Sequence, residues 1–419
     1  MTLQPQKKEY SKIVLMYSGG LDTSCMLTWL QEQYNAEIIT FTADLGQEMA
    51  DPKRFQEIAD KAKNLGAIKT IVSDLKEEFA EEYLLPAIKA NAWYQGAYPL
   101  STALGRPLIA KKCVEIALEE GAEAIAHGST GKGNDQIRID VYAKALAPEI
   151  EMLRPMIEWG MGRKDELIYA EERGIPISSQ NKKYSTDENM WGRSAECDIL
   201  EQPEEIPPPD SLEWLKSYEE WPDEPEIVKI GFEQGKPVSI NDEAMDLVKL
   251  IEVAHKLGIK HGVGWIEHME DRGIGLKSRE TYELPAASII MPAHQELEKY
   301  VCNRHENSFK TSIDQKWTEM AYLGFWGDPL LDALNAFIDE VNKKVTGWVK
   351  VRLFKGKAQV VARESPYGLY DLNLATYDTS SRFNERASYG FIELWGLPTR
   401  IGYQIKQRVN EDLEKREFS

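Results

Sequence analysis

The stretch Lys12-Ile13-Val14-Leu15-Met16-Tyr17-Ser18-Gly19-Gly20-Leu21-Asp22-Thr23-Ser24-Cys25 decides how the chain is read. Its first half is apolar without alternation, as in a strand covered on both faces. Two glycines then break the run, and Leu21 to Ser24 open a helix expected from about Asp22 to Tyr34. A strand, a Gly-Gly turn and a helix N-terminus together present backbone N–H groups with no internal partner, a ready site for phosphate. No Lys follows Gly20, so this is not a Walker A loop, and the dinucleotide pattern G-x-G-x-x-G is missing too.

Outward from this point, strand and helix patterns alternate. Strands are expected at 36–43, 68–72, 122–127 and 149–153. Helices are expected at 51–65 (stopped by Gly66), 77–92, 103–120 (closed by Gly121) and 162–173 (stopped by Gly174). This predicts an α/β region over residues 1–175, a parallel sheet with helices on both faces and its ligand edge at the strand C-termini. A second glycine-rich stretch, His127-Gly128-Ser129-Thr130-Gly131-Lys132-Gly133-Asn134-Asp135-Gln136-Ile137-Arg138, follows the strand expected at 122–127. The i, i+4 spacing puts Asn134 and Arg138 on one helix face, where Arg138 can grip a carboxylate bidentately. His127 reads as a strand-end histidine rather than a base.

Between 202 and 226, six prolines among acidic residues suggest an extended surface connection. Beyond it, hairpins are expected at 227–232/236–240 and 348–354/358–363, with helices at 242–257 and 399–415, an α+β pattern. The expected division is 1–175, 176–370 and a C-terminal segment 371–419. With 42% hydrophobic and 28% charged residues the 419-residue chain is no disordered protein. Its 69 acidic against 50 basic residues, a net charge of -19, argue against nucleic acid as a partner. No apolar run approaches the roughly 20 residues that span a bilayer, so no membrane partner is expected. The four cysteines form no Cys-x-x-Cys pair, which disfavours a zinc site and suits a cytoplasmic protein with reduced thiols.

The SGGLDTS turn resembles the loop of the ATP pyrophosphatase superfamily, whose fold is adenine nucleotide alpha hydrolase-like. The resemblance narrows to the argininosuccinate synthase family through HGSTGKGNDQIR, Tyr98 to Thr102 with Arg106-Pro107, and Tyr184 to Asn189. Gly275 to Arg279 with Tyr282-Glu283, Gly324-Phe325-Trp326 and Arg363 to Pro366 extend it along nearly the whole chain. It implies an AMP-forming ligase that joins citrulline and aspartate with ATP and Mg²⁺, in arginine biosynthesis. Carried over residue by residue, Met16, Tyr17, Ser18, Gly19, Gly20, Leu21, Asp22, Thr23, Ser24, Ala43 and Gly128 would contact ATP. Thr130, Asn134 and Asp135 would hold aspartate. Tyr98, Ala103, Asn134, Arg138, Ser185, Ser194, Glu270 and Tyr282 would hold citrulline. No single catalytic group is implied; Ser18, Asp22 and Asp135 are the candidates, and the metal ligands are unassigned. Ala103, Ser129 and Gly273 depart from common family residues, so Ala103 could offer citrulline only its backbone. The resemblance also implies a homotetramer in which the C-terminal helix reaches a neighbour.

Overall fold

The computed structural model describes residues 9–47, 52–176 and 183–417. Strand β1 (Lys12–Met16) lies inside, with Ile13, Val14 and Leu15 closed to solvent on both faces as its unbroken apolar run requires. Then come α1 (Leu21–Tyr34), β2 (Glu37–Asp44), α2 (Pro52–Asn64) and β3 (Lys69–Asp74). The expected start of α2, Asp51, lies outside the described residues. The helix expected at 77–92 is α3 (Lys76–Phe79), a π turn (Ala80–Leu84) and α4 (Leu85–Lys89). Pro86 brings no N–H to the ladder here, which fits a widened turn just before it, and Asn91 ends the run at φ 43°. Next are α5 (Thr102–Glu120), β4 (Ala124–Ala126), α6 (Asp135–Leu146), β5 (Glu151–Leu153), α7 (Pro155–Glu158) and α8 (Arg163–Glu172).

The first five strands form one parallel sheet in the order β3-β2-β1-β4-β5. Chain order reverses between β1 and β4, the topological switch point where such sheets bind ligands. Both glycine stretches leave from the C-terminal ends of these two neighbours, so they share one edge.

The second half is built from antiparallel sheets. A hairpin of β6 (Ser185–Asn189) and β7 (Gly192–Glu196) had no clear turn signal; its corner is made by Asn189, whose Oδ1 accepts from the N–H of Trp191 and Gly192. β8 (Glu226–Glu233) and β9 (Lys236–Ile240) form the expected hairpin, followed by the two-residue β10 (Glu243–Ala244). The helix expected at 242–257 is instead α9 (Leu247–His261). Asn241 and Asp242 are spent on a left-handed turn, and Asp246 supplies the cap by accepting from Lys249 N–H. β11 (Trp265–Asp271), β12 (Lys277–Glu283), α10 (Pro285–Val301), α11 (Arg304–Tyr322), α12 (Pro329–Asn342), β13 (Gly347–Phe354) and β14 (Lys357–Glu364) complete this part. One sheet runs β10-β9-β8-β13-β14, the other β11-β12-β7-β6.

The proline-rich connection is less free than expected. A one-turn helix at Asp198–Glu201 leads into it, it holds two more at Pro209–Ser211 and Tyr218–Glu220, and the buried Glu283 carboxylate accepts from the N–H groups of Glu213, Trp214 and Leu215. The chain divides into two compact units, Met1–Gly368 and Leu369–Ser419. The second contains α13 (Leu372–Ala375), α14 (Ala387–Trp395) and α15 (Leu397–Glu417), the last covering the helix expected at 399–415.

Candidate active site

The turn after β1 is braced by its own side chains and by α2, with the Gly20 N–H donating to Ser18 Oγ at 3.3 Å. Gly19 sits at φ +77°, and a Cβ there would lie 2.8 Å from Ile58 Cγ1, so this position requires glycine. Its carbonyl accepts from Lys61 Nζ at 2.9 Å, a cation brought from α2 by the tertiary fold. Gly20 caps α1 without a side-chain acceptor, and the first-turn N–H groups have no partner within the helix itself. The hydroxyls brace one another: Ser18 Oγ lies 3.1 Å from Thr23 Oγ1, Ser24 Oγ donates to Gly20 O at 2.6 Å, and Tyr17 OH is 3.0 Å from Ser24 Oγ. Leu21 and Met16 flank the turn half-buried, and Asp22 stands in the first helical turn. On the neighbouring strand, Ala43 is buried with its carbonyl taken by Gln47 Nε2.

The second stretch approaches the first closely. A Cβ on Gly128 would stand 3.0 Å from Met26 Cε and 3.6 Å from Thr23 Cγ2. Buried His127 anchors the stretch: Nδ1 accepts from Ser129 N–H at 3.2 Å, which leaves Nε2 to donate to Asp140 at 2.9 Å. Arg154 Nε holds the other Asp140 oxygen at 2.6 Å. Ser129 thus contributes its backbone here, and Thr130 is exposed.

Arg138, only 4% exposed, faces inward from α6. Its Nη1 donates to Asp135 at 3.0 Å and its Nε to the Tyr322 carbonyl at 2.8 Å. The bidentate grip expected of Arg138 is therefore already partly spent on the protein, with Nη2 left uncommitted among the described residues. Arg106 Nε holds the other Asp135 oxygen at 2.7 Å, and its Nη2 pairs with Asp187. Burial pushes Asp135 up, but the two guanidiniums outweigh it and hold the carboxyl below its ordinary range.

The β11-β12-β7-β6 sheet supplies the opposite wall. Its register aligns Tyr282 with Ser194 and Ser194 with Asp187; Glu270 pairs Ser278, and Ser185 pairs Glu196. With side chains alternating in period two, Ser185, Ser194, Glu270 and Tyr282 all lie on one face. Glu270 is 2% exposed and accepts from Tyr282 OH at 2.9 Å and Tyr322 OH at 2.5 Å. Burial raises its pKa, only partly offset by those phenols. Tyr98 stacks on Tyr282 at 4.1 Å, and its hydroxyl accepts from Ser101 N–H at the start of α5. Ala103, fully buried, stands in the first turn of α5, where an amide has no partner within the helix. Asn134 is fixed at both ends, Nδ2 donating to Tyr322 OH and Oδ1 accepting from Gly273 N–H, both at 2.8 Å. A Cβ on Gly273 would lie 2.8 Å from Leu323 Cδ2, so a larger residue there requires Leu323 to move.

Sequence reasoning missed Arg106, Asp187, Tyr322 and Arg272 as site residues. Arg272 ties the second stretch to the sheet, donating to Lys132 O, Glu196 and Glu280. Asp187 and Glu196 could have been found by the alternation Ser185/Asp187 and Ser194/Glu196, once read as strands. Tyr322, at the end of a helix far along the chain, left no local signal.

Family models cover both halves of the chain: the arginosuccinate synthase N-terminal HUP domain matches residues 12–176, and the arginosuccinate synthase C-terminal domain matches 184–402. An argininosuccinate synthase of Pyrococcus furiosus is 51% identical over 95% of this chain and 96% of its own. One from Symbiobacterium thermophilum is 49% identical over 93% and 97%, and one from Bacillus thuringiensis 49% over 96% and 100%. Family models over both halves and relatives about half identical over nearly the whole chain mean that the chain belongs to the argininosuccinate synthase family.

Proposed function

We propose that this protein joins citrulline to aspartate at the expense of ATP, releasing AMP and pyrophosphate, and that the residues above divide the work as follows. The first-turn amides of α1 with Ser18, Thr23 and Ser24 hold the departing pyrophosphate, and Ala43 and Gly128 border the nucleoside. The ureido oxygen of citrulline attacks the α-phosphorus, and the bond to pyrophosphate breaks. The aspartate amine then attacks the activated ureido carbon, AMP leaves, and the amine loses its proton. Alignment and charge stabilisation carry such a reaction, without a protein nucleophile.

For citrulline, Arg138 Nη2 suits the α-carboxylate and ionised Glu270 the α-amine, while Ser185 and Ser194 face the ureido end and Tyr98 and Tyr282 form a stacked wall. Thr130, Asn134 and Asp135 would take aspartate, Asp135 through its amine. Mg²⁺ is usually held by substrate phosphates, water and one or two carboxylates, and Asp22 beside the glycine turn suits that need. When bound, the ion would neutralise phosphate charge as pyrophosphate departs. Among the described residues no group of three or more His, Cys, Asp or Glu could hold a metal by itself.

The single observation carrying this reading is the junction at Asp135. From the first turn of α6, beside the second glycine stretch, it pairs Arg138 and Arg106, and Arg106 reaches Asp187 on the substrate-facing sheet. Citrulline labelled with oxygen-18 in its ureido group tests it. Label appearing in AMP supports the adenylate route, and unlabelled AMP refutes it.

The division of labour extends along the chain: residues 1–175 for ATP, 176–370 to complete the amino-acid site, and 371–419 for assembly. Tyr389, Phe391, Ile392, Leu394 and Trp395 of α14 are all more than half exposed, an apolar surface suited to further copies of this chain in a homotetramer. Light scattering of the intact protein against a chain ending at Gly368 reads that assignment. Among the described residues no helix is long and apolar enough to cross a membrane. The cytoplasm is the compartment we propose for this biosynthetic step.

A further inference from the structure

We propose that Tyr322 is a positioning residue for the amino-acid site, its hydroxyl setting Glu270 and Asn134 and its carbonyl setting Arg138. The proposal rests on the reading of Glu270 and Arg138 as the groups that hold citrulline.

Tyr322 is fully buried at the last turn of α11, and Asn134 and Arg138 from the start of α6 and Glu270 from β11 meet on it. Asn134 Oδ1 accepts from Gly273 N–H, which fixes the amide orientation and turns Nδ2 toward the Tyr322 oxygen. That oxygen accepts from Asn134, so its own proton is aimed at Glu270 Oε1. The backbone does the rest. Arg138 Nε donates to the Tyr322 carbonyl, at the electronegative end of the helix, and the guanidinium lies 4.7 Å from the Tyr322 ring centre. A Cβ on Gly324 would stand 2.6 Å from Arg138 Cα, so the chain after Tyr322 is pressed against the arginine's own backbone. On its far face Tyr322 stacks on Tyr94 at 3.5 Å and 7°, which prevents the ring from swinging away. One residue, through its hydroxyl and its carbonyl, thus fixes the cation, the anion and the amide of the site together. Contact with substrate is not required for that role.

The groups facing Glu270 are Tyr282 and Glu280 from β12, Tyr322 from α11, Arg138 from α6, and Tyr94 and Tyr98 from the segment before α5. Arg138 is the only cation among them. Deleting the Tyr322 hydroxyl removes a hydrogen bond that favours ionised Glu270, so its carboxyl should bind its proton more tightly. The acidic limb of kcat/KM for citrulline then moves to higher pH.

The experiment is steady-state kinetics on the full-length protein. Tyr322→Phe keeps the ring and its stack and is expected to raise the citrulline KM about tenfold or more, with the ATP KM within about twofold. The acidic limb should shift upward, and in a Glu270→Gln background the same change should cost far less than alone. Tyr83→Phe is the control, a buried tyrosine stacked on Trp326 away from these groups, expected to leave both KM values and the limb in place. A Tyr322→Phe enzyme with unchanged citrulline KM and limb overturns the inference while leaving the site reading intact, provided Glu270→Gln does raise that KM. If Glu270→Gln has no effect, the site reading fails and this inference with it. Should Tyr322→Phe not fold, Tyr94→Leu, which frees the ring, must raise the citrulline KM in the same direction. No rise there also overturns the proposal.

Discussion

At the end of β1 the chain offers glycines, short hydroxyls and backbone amides, while beyond β4 it offers Arg138, Asp135, Glu270 and Tyr322 in a partly closed cradle. Both regions start at the C-terminal edge of one sheet, the second being completed by β11 and α11, and under the proposed function they meet their ligands by opposite means. In the proposed reading a triphosphate brings charge and is met by dipoles fixed in the backbone, so the protein needs little charge of its own there. A zwitterionic amino acid needs one cation and one anion at set positions, and burying these is costly unless each is paired. Hence Arg106 and Arg138 flank Asp135, and two phenols serve Glu270. The first region can be written in a few consecutive residues. The second must be gathered from α5, α6, β6, β11, β12 and α11.

If that contrast is right, the heaviest damage comes from the cradle. Arg138→Ala strands Asp135 against Arg106 alone and leaves the Tyr322 carbonyl without its donor. The expected loss is about 3 kcal/mol, roughly a hundredfold or more in kcat/KM for citrulline. ATP binding measured by calorimetry should stay near normal, and an equal loss for both ligands would erase the distinction. Gly19→Ala probes the other side. Its left-handed backbone and the approach of Ile58 put the cost at about 1–3 kcal/mol, expected as roughly a tenfold rise in the ATP KM with citrulline little changed.

Asp135→Asn sharpens the electrostatic half. Because Asp135 titrates below its ordinary range when folded, its ionised form adds stability that is present above the unfolded carboxylate pKa and is lost as pH falls through the lower folded value. Chemical denaturation should therefore show the variant less stable than the parent at neutral pH, by about 1–2 kcal/mol. The two should converge in strong acid, and a gap independent of pH would contradict the pairing. The smallest effect is expected at Ser129→Ala. The loop uses the Ser129 N–H, held by His127 Nδ1, so loss of the hydroxyl should move the ATP KM less than about twofold, while His127→Ala moves it several-fold.

Much of this was legible in advance. The sheet, its strand sequence and both glycine stretches could be read because each signal is local: an apolar run, a glycine stop, a helix opening. The hairpin at 185–196 was harder, since Asn189 rather than glycine makes the corner and its strands carry polar side chains toward the site. The helix at α9 slipped because Asp242 and Asp246 are equally good caps on paper, and only the turn after β9 decides between them. Glu270, isolated in the sequence, resembles a solvated charge; its burial depends on Tyr282 and Tyr322, 12 and 52 residues away.

By itself the sequence determined the parallel sheet, the Gly-Gly turn between β1 and α1 and the family, because short-range patterns and contiguous motifs carry them. Only the tertiary structure decided which charged groups meet: Arg106 with Asp187, Asn134 with Tyr322, Tyr322 with Glu270. The reason is physical. Backbone dipoles at a strand end are fixed by local geometry, whereas a buried ion takes its partners from wherever packing brings them.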